Sequence, residues 1–334
     1  MISVENLVDM DGAAVVPVVL MVSGGSDSEA MLEMAHAGCL PGCPSGAVFK
    51  VLHINHMLRG EQADADEAFV AGRCAELGVA FEARHIDIAA RCKESSDGME
   101  AVARAARYEA AQETLDIWCA KCGVAPEGGR IYTAHTLDDR VETFMMRTLV
   151  GTGPGGLASI PRVRGRIHRP LLDMKREELR EWLRTQHPGQ PDERLWREDP
   201  TNSDGSNFRS QVRTQLLPVM RQLRPGFEVS LARTMDLIAQ EDDALSAQAD
   251  GIVYRNLNWD STQARVPLSA FEGLDRPMAR RVLRQCLLVV APDARLESRQ
   301  IERVLDALEQ PTFSTEVDGG LKVRIADGEL LIKL

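Results

Sequence analysis

Between residues 14 and 150, short unbroken apolar runs alternate with longer stretches whose apolar positions recur every three or four residues. The first pattern predicts buried strands and the second amphipathic helices. Residues 14–22 read as a strand, followed by a helix, SEAMLEMAHAG, that ends at Gly38. AVFKVLHINH and VAFEARHID read as the second and third strands, separated by the helix ADADEAFVAGRCAELG, which closes at Gly78. GMEAVARAARYEAAQETLDIWCAKCG is a long helix stopped at Gly123, GRIYTAHT a fourth strand, and LDDRVETFMMRTLVGTG a further helix. This alternation predicts an α/β fold with an open, mostly parallel sheet and helices on both faces.

The pattern then changes. GTGPGGLASIPRVRGRIHRPLL is rich in Gly and Pro and too long for a simple link, which suggests a functional loop. DMKREELREWLRTQ is a charged helix with Leu179, Trp182 and Leu183 on its apolar side. An irregular stretch, HPGQPDERLWREDPTNSDGSN, precedes the helix FRSQVRTQLLPVMRQL, expected to bend near Pro218. Within that stretch Asn202 and Asp204 are expected to hold the loop by turn-type backbone bonds. Beyond about residue 226 longer amphipathic helices dominate, PMARRVLRQCLLVV and SRQIERVLDALEQ among them. The end, STEVDGGLKVRIADGELLIKL, alternates around Gly-Gly and Asp-Gly as β-hairpins do. The chain therefore divides into a first domain over 1–225 and a smaller, mainly helical C-terminal domain over 226–334 with a terminal β-hairpin.

Length and composition agree with two globular domains: 334 residues, 44% hydrophobic and 27% charged. No apolar run reaches the ~18 residues expected of a membrane span. The opening MISVENLVDMDG lacks the basic region of a secretory signal, so a cytoplasmic protein without a membrane partner is expected. Seven cysteines without such a signal argue against a disulfide framework. The net charge of −11 argues, by itself, against a nucleic-acid partner. Its distribution changes that picture. Residues 159–224 hold 14 Lys/Arg against 9 Asp/Glu, so this stretch is positive while the remainder carries −16. A polyanion could be held on this segment; ordinary solvated arginines give the same count.

The first predicted strand ends abruptly in Ser23-Gly24-Gly25-Ser26-Asp27-Ser28 before the first helix. Such a corner presents unpaired backbone N–H groups, and glycines let a ligand approach them closely. The helix N-terminus favours negative charge, and three serines can add hydroxyl donors. This suits an anion cradle for phosphate or pyrophosphate, a plain Gly-Gly turn with a serine cap being the blander reading. Asp27 would repel a bare phosphate, which invites Mg²⁺ between them. The corner has no lysine of the GxxxxGK[ST] kind, the next one being Lys50. Further along, Asp138 and Asp139 are followed by Glu142 on the same helical face, a cluster that would draw Mg²⁺ or an ammonium. Acids also favour the first turn of any helix, so a solvated helix start is the plainer reading.

The corner is the SGGxDS signature of the PP-loop ATP pyrophosphatases, which this chain resembles. The resemblance implies a sheet of that type and cleavage of ATP to AMP and pyrophosphate while a substrate oxygen is adenylated. Further segments, in order over about 200 residues, resemble the tRNA(Ile)-lysidine synthetase family. They are HINHMLRG (53–60), RAARY (104–108), AHTLDDRVETF (134–144), GTGPGGLASI (151–160), RPLL (169–172) and REDPTNSDGSNFRSQVR (197–213). Residues 226–334 resemble that family's first C-terminal domain more loosely, and the second C-terminal domain of longer members is expected to be absent.

The resemblance implies partners and roles. The partners are ATP with Mg²⁺, free L-lysine, and the isoleucine tRNA with a CAU anticodon, whose wobble cytidine becomes lysidine through an adenylate. Ser23, Gly24, Gly25, Ser26, Asp27, Ser28, His53, Asn55, His56 and Arg107 are expected around ATP, with Asp27 and Asp138 holding Mg²⁺. Asp139 and Glu142 are expected to bind lysine, and Asp27, His135, Asp138, Asp139, Glu142 and Arg209 to serve catalysis. Arg59, Arg104, Arg162, Arg164, Arg209 and Arg213 are expected to face tRNA. Arg104 and Arg107 could equally belong to a salt-bridged helix surface with Glu100 and Glu109. Ser210 stands where the family pattern has asparagine and can make fewer contacts.

Cys39 and Cys43 fall near the end of the first predicted helix, and Cys119 and Cys122 near the end of the long one. If both ends met at the edge opposite the active site, four thiolates could hold a structural Zn²⁺. Cys74, Cys92 and Cys286 read as core or incidental thiols. Two other functions compete. One is a PP-loop tRNA modifier that 2-thiolates cytidine and uses a Cys-x-x-Cys motif such as 119–122. The other is a nucleotide- or tRNA-binding protein without turnover, against which the dense acidic cluster argues.

Overall fold

The computed structural model describes residues 14–95, 98–198, 207–260, 263–292 and 294–334. Asn202 and Asp204 lie outside them. The chain divides into two compact units, Met1–Asp236 and Leu237–Leu334.

The first unit runs β1 (Val16–Met21), α1 (Ser26–His36), β2 (Ala47–Asn55), α2 (Glu61–Leu77), β3 (Ala80–His85), α3 (Ile88–Lys93), α4 (Met99–Lys121), β4 (Arg130–Thr133) and α5 (Leu137–Val150). It continues with α6 (Pro154–Leu157), β5 (Val163–Arg164), β6 (Ile167–His168), α7 (Arg176–Gln186) and α8 (Asp192–Leu195). A helical segment follows as α9 (Phe208–Gln211), a π turn (Val212–Leu216) and α10 (Leu217–Leu223), and α11 (Phe227–Asn256) begins thereafter. Just before Pro218, where a bend was expected, the structure has a π turn, in which one residue more than usual is closed into the helical ring. Gly38, Gly78 and Gly123 follow their helices at φ +70°, +67° and +67°, the left-handed geometry that stops a helix most cheaply at glycine.

The sheet order is β3-β2-β1-β4-β6-β5. All neighbours are parallel except the β5–β6 hairpin, which forms inside the stretch expected to be loop. β1 is central and buried on both faces, which explains its unbroken apolar run. Val18 and Leu20 pack on one face with Met31 of α1, Val70 of α2 and Leu179 and Leu183 of α7. Val19 packs on the other with Leu52, Leu115 and Ile131. The chain turns left from β1 to β2 and β3, then returns to place β4 on the other side of β1. Ligands of open α/β sheets bind at such a switch point, at the carboxyl ends of the strands.

The same two-faced packing corrects the zinc expectation. β1 and β4 are indeed neighbours. Yet Cys43 lies against the core on the α1 face, while Cys119 is buried in the core beneath α4 on the opposite face. The sheet stands between the two cysteine pairs. Among the described residues no group of three or more His, Cys, Asp or Glu could hold a metal ion.

The second unit contains β7 (Asn258–Trp259), β8 (Ala264–Pro267), α12 (Arg276–Val290), α13 (Ser298–Asp306), β9 (Phe313–Val317), β10 (Leu321–Ala326) and β11 (Glu329–Lys333). The strands form an antiparallel sheet in the order β7-β8-β11-β10-β9. Val323, Ile325, Leu330 and Ile332 of its buried face pack with Leu283 and Leu287 of α12 and Val304 of α13. The terminal β10–β11 hairpin therefore lies inside a larger sheet, flanked by β9 on one side and β8 on the other. Among the described residues, no helix is long and apolar enough to cross a membrane.

Candidate active site

The loops after β1 and β4 open into a cleft of about 860 Å³ at the switch point. Ser23, Gly25, Ser26, Asp27 and Ser28 form its floor, and His53, Asn55, His56 and Arg59 one wall. Arg104, Arg107 and Tyr108 of α4, His135 and Asp139, and Arg209 and Arg213 complete much of the rest. Gly24 shapes the floor from behind, at φ +92°. Its backbone O accepts a hydrogen bond from Arg197 N at 2.8 Å. A Cβ there would come within 3.4 Å of Val70 Cγ2 and 3.6 Å of Arg197 Cγ. Gly25 is the N-cap of α1 and supplies no side chain to cap it. The free amides of that first turn are therefore left for an incoming anion. Ser28 Oγ instead braces the loop, donating to Gly25 O at 2.9 Å and accepting from Ser23 N at 3.2 Å.

α5 begins with a capping box. Asp139 Oδ2 accepts from Thr136 N at 2.8 Å, and Thr136 Oγ1 accepts from Asp139 N at 3.4 Å. Asp139 Oδ1 faces the guanidiniums of Arg209 at 2.8 Å and Arg176 at 3.4 Å. Burial pushes the Asp139 carboxyl up, but Arg209 and Arg176 outweigh it and hold it below the usual carboxylate range. Glu142, one turn on, is 1% exposed and bound by Arg209 Nε at 2.7 Å and Arg213 Nε at 2.6 Å. It lies beneath the cleft lining. Asp27 pairs with Arg176 Nε at 2.9 Å. Burial nonetheless leaves its carboxyl above the usual value, with Arg176 countering and Asp139 adding to the rise.

Asp138 is not brought to the cleft. Its Oδ2 accepts from the backbone N of Arg176 at 2.9 Å, capping α7, and its Oδ1 pairs with Arg221 at 3.1 Å. Leu137 N also donates to Met174 O at 2.9 Å, so the starts of α5 and α7 are tied together twice. Arg162 pairs with Asp173 and Asp236, and neither it nor the exposed Arg164 lines the cleft.

His53 Nδ1 donates to Val22 O at 2.9 Å, which fixes its tautomer and leaves Nε2 to accept. His135 Nδ1 lies 2.9 Å from Thr133 Oγ1, and burial lowers its pKa to about 4. His56 is lowered to about 4, first by burial and then by Arg107, whose Nη2 stands 3.4 Å from His56 Nε2. Neutral imidazoles therefore line the cleft at physiological pH. Asn55 Nδ2 is held by Asp64 and Glu67, both at 3.1 Å. Arg104 stacks on the Tyr108 ring at 5.1 Å, and Glu109 pairs instead with Arg91. Ser210 is buried, and its backbone N is capped by Asn207 Oδ1 at 2.8 Å.

Three arginines of this site escape a sequence reading. Arg176 and Arg180 lie one turn apart on α7, and Arg180 Nε donates to Ser26 Oγ at 3.2 Å. Arg197 completes the set beside Gly24. For Arg176 and Arg180 the only signal was the local positive excess, because a charged amphipathic helix looks the same whether its arginines meet solvent or a loop; Arg197 opens the segment 197–213 but was given no role.

A parallel sheet with an uncapped helix start, glycines beneath it and a cleft rimmed by arginines defines a nucleotide-binding α/β domain. Residues 4–220 match the PP-loop domain family, and the chain belongs to it. Membership implies use of ATP and Mg²⁺. The chain is similar to the tRNA(Ile)-lysidine synthase of Caldanaerobacter subterraneus subsp. tengcongensis, at 29% identity over 92% of this chain and 62% of that one. It is 34% identical to that of Thermus thermophilus over 84% of this chain and 50% of the relative. With the synthase of Chlorobaculum tepidum the identity is 29%, over 94% of this chain and 89% of the relative. The chain thus spans between half and two thirds of the length of the first two.

Proposed function

We propose that this protein joins free L-lysine to C2 of the wobble cytidine of an isoleucine tRNA with a CAU anticodon, consuming ATP. The observation that carries this reading is the placement of Asp27 and Asp139, from the first turns of α1 and α5, on one Arg176 guanidinium in one cleft. An anion cradle and an acidic site for an amine are thereby adjacent, as an adenylating ligase requires.

The residues fit a magnesium nucleotide. The α1 amides and the hydroxyls of Ser23 and Ser26 would receive phosphate oxygens, and Asp27 would hold Mg²⁺, which supplies charge neutralisation when bound. Asp138, turned to α7, takes no part in that set. Cytidine O2 attacks the α-phosphorus and pyrophosphate leaves. The lysine ε-amine then attacks C2, the C2–O bond breaks, and AMP carries away the electron pair. Free lysine has an ε-amine pKa of about 10.4, so it arrives as ammonium and must lose a proton first. Asp139 lines the cleft and is placed to meet the ammonium; Glu142, beneath it, orients Arg209 and Arg213. His135, neutral and close to Asp139 in charge terms, can accept a hydrogen bond from the amine or the nucleotide. Arg209 favours the charge developing on the departing phosphate. Arg104, Arg107 and Arg59 offer the cleft mouth to the anticodon backbone.

The thiolation alternative gains no support, since none of the seven cysteines lines the cleft. The test is incorporation of labelled lysine into isoleucine and methionine tRNA transcripts with ATP, repeated with a sulfide source. Lysine uptake confined to the isoleucine tRNA is expected. Sulfur incorporation without lysine uptake would reverse the assignment.

A further inference from the structure

Asp27, Asp139 and Glu142 are ion-paired with Arg176, Arg209 and Arg213. Among the described residues, three carboxylates here meet three guanidiniums, which balances their charge. An ammonium added to this cluster would leave a buried excess positive charge, which is costly at low local dielectric. One cation must therefore move away before an amine can be held.

Arg176 is the one built to move. Arg209 is fixed by two carboxylates of the same helix, and Arg213 grips Glu142 with two nitrogens, at 2.6 and 3.0 Å. Arg176 instead bridges the phosphate loop and α5, and its bond to Asp139 is the long one, at 3.4 Å. Its backbone is held separately, by Asp138 at 2.9 Å, so the side chain can change partners while its root stays in place. Arg180, one turn on, already reaches Ser26 of the loop, where a phosphate chain would lie.

We propose that Arg176 is a positioning residue that couples the two substrates: it shields Asp139 in the free protein and swings to the phosphates of an incoming nucleotide, uncovering Asp139 for the lysine ammonium. Nucleotide binding supplies the negative charge that draws the guanidinium away and the balance that lets a new cation enter. Asp138 acts through this residue by anchoring its backbone. The proposal rests on the lysine-ligase reading.

Calorimetric titration of the full chain with L-lysine tests it, alone and after saturation with α,β-methylene ATP and Mg²⁺. The nucleotide is expected to tighten lysine binding about tenfold or more, within the usual range of coupling between sites. In Arg176→Gln the two lysine affinities are expected to converge, with lysine binding better than wild type in the absence of nucleotide. Arg176→Lys restores part of the coupling, which a merely structural role would not predict. Asp138→Asn gives an intermediate ratio. Equal lysine affinity with and without nucleotide in the wild type overturns the coupling but leaves the ligase reading standing. So does full coupling in Arg176→Gln. If nucleotide binds and lysine binds in neither state, the ligase reading itself falls, and this proposal with it.

Discussion

Arg209 donates to Glu142 through Nε at 2.7 Å while its Nη2 reaches Asp139 at 2.8 Å. One guanidinium thus spans two carboxylates a helical turn apart, and the deeper one is also held by Arg213. The deeper carboxylate sets the arginines; the shallower one faces the cleft.

Replacing Glu142 with Gln should therefore hurt both stability and catalysis. It removes the buried charge that Arg209 and Arg213 share, while Arg209 keeps Asp139, and breaking a buried pair from one side costs about 3 kcal/mol. A lower urea midpoint should accompany a loss of lysine transfer. Asp139→Asn should keep most of the fold yet lose lysine transfer more than tRNA binding, because the cleft loses its cation-binding charge. Equal losses of transfer and tRNA binding in Asp139→Asn would refute the division of labour.

Gly24→Ala should act on the nucleotide. A φ of +92° is strained for alanine, although the new Cβ would make only ordinary contacts with Val70 and Arg197. A strain of about 1–3 kcal/mol would raise the KM for ATP by roughly ten- to a hundredfold. The KM for lysine, measured at saturating ATP, should move far less.

Glu29, directly after Ser28, is fully buried, and both its carboxylate oxygens lack a hydrogen-bond partner; the nearest Arg73 nitrogen is 3.8 Å away. Burial pushes its carboxyl up to about 8, against the pull of Arg73. The folded protein therefore binds a proton here that the unfolded chain, titrating near 4.5, has released. Stability from this group is present below about pH 4.5 and is lost as pH rises through about 8. Glu29→Gln should be more stable than wild type at pH 8.5 and nearly equal to it at pH 5, in urea unfolding. A variant less stable than wild type at pH 8.5 would contradict this protonation.

Much of this was legible in the sequence because one physical rule generated both. β1 must be apolar at every position to be buried on both faces, and Gly38, Gly78 and Gly123 stop helices where left-handed backbone is needed. The loop at residues 23–28 and the acids of α5 announced themselves by density. Arg176 did not, because its meaning depends on α7 packing beside α1, a contact between residues 149 positions apart. The zinc expectation failed for a related reason. Spacing put the two cysteine pairs at helix ends, but only the handedness of the crossovers decides which face each helix covers. The β5–β6 hairpin was hidden by strands of two residues each, too short to show alternation.

The pairing of β1 with β4 carries a consequence for this chemistry. Met21 sits beside Thr133 in the ladder, and the two loops leave from just beyond them. The spacing between the phosphate grip and the amine grip is therefore ruled by main-chain register. A slip of a single residue would displace one against the other by about 3.3 Å, more than a bond length, and no choice of side chain could make it good.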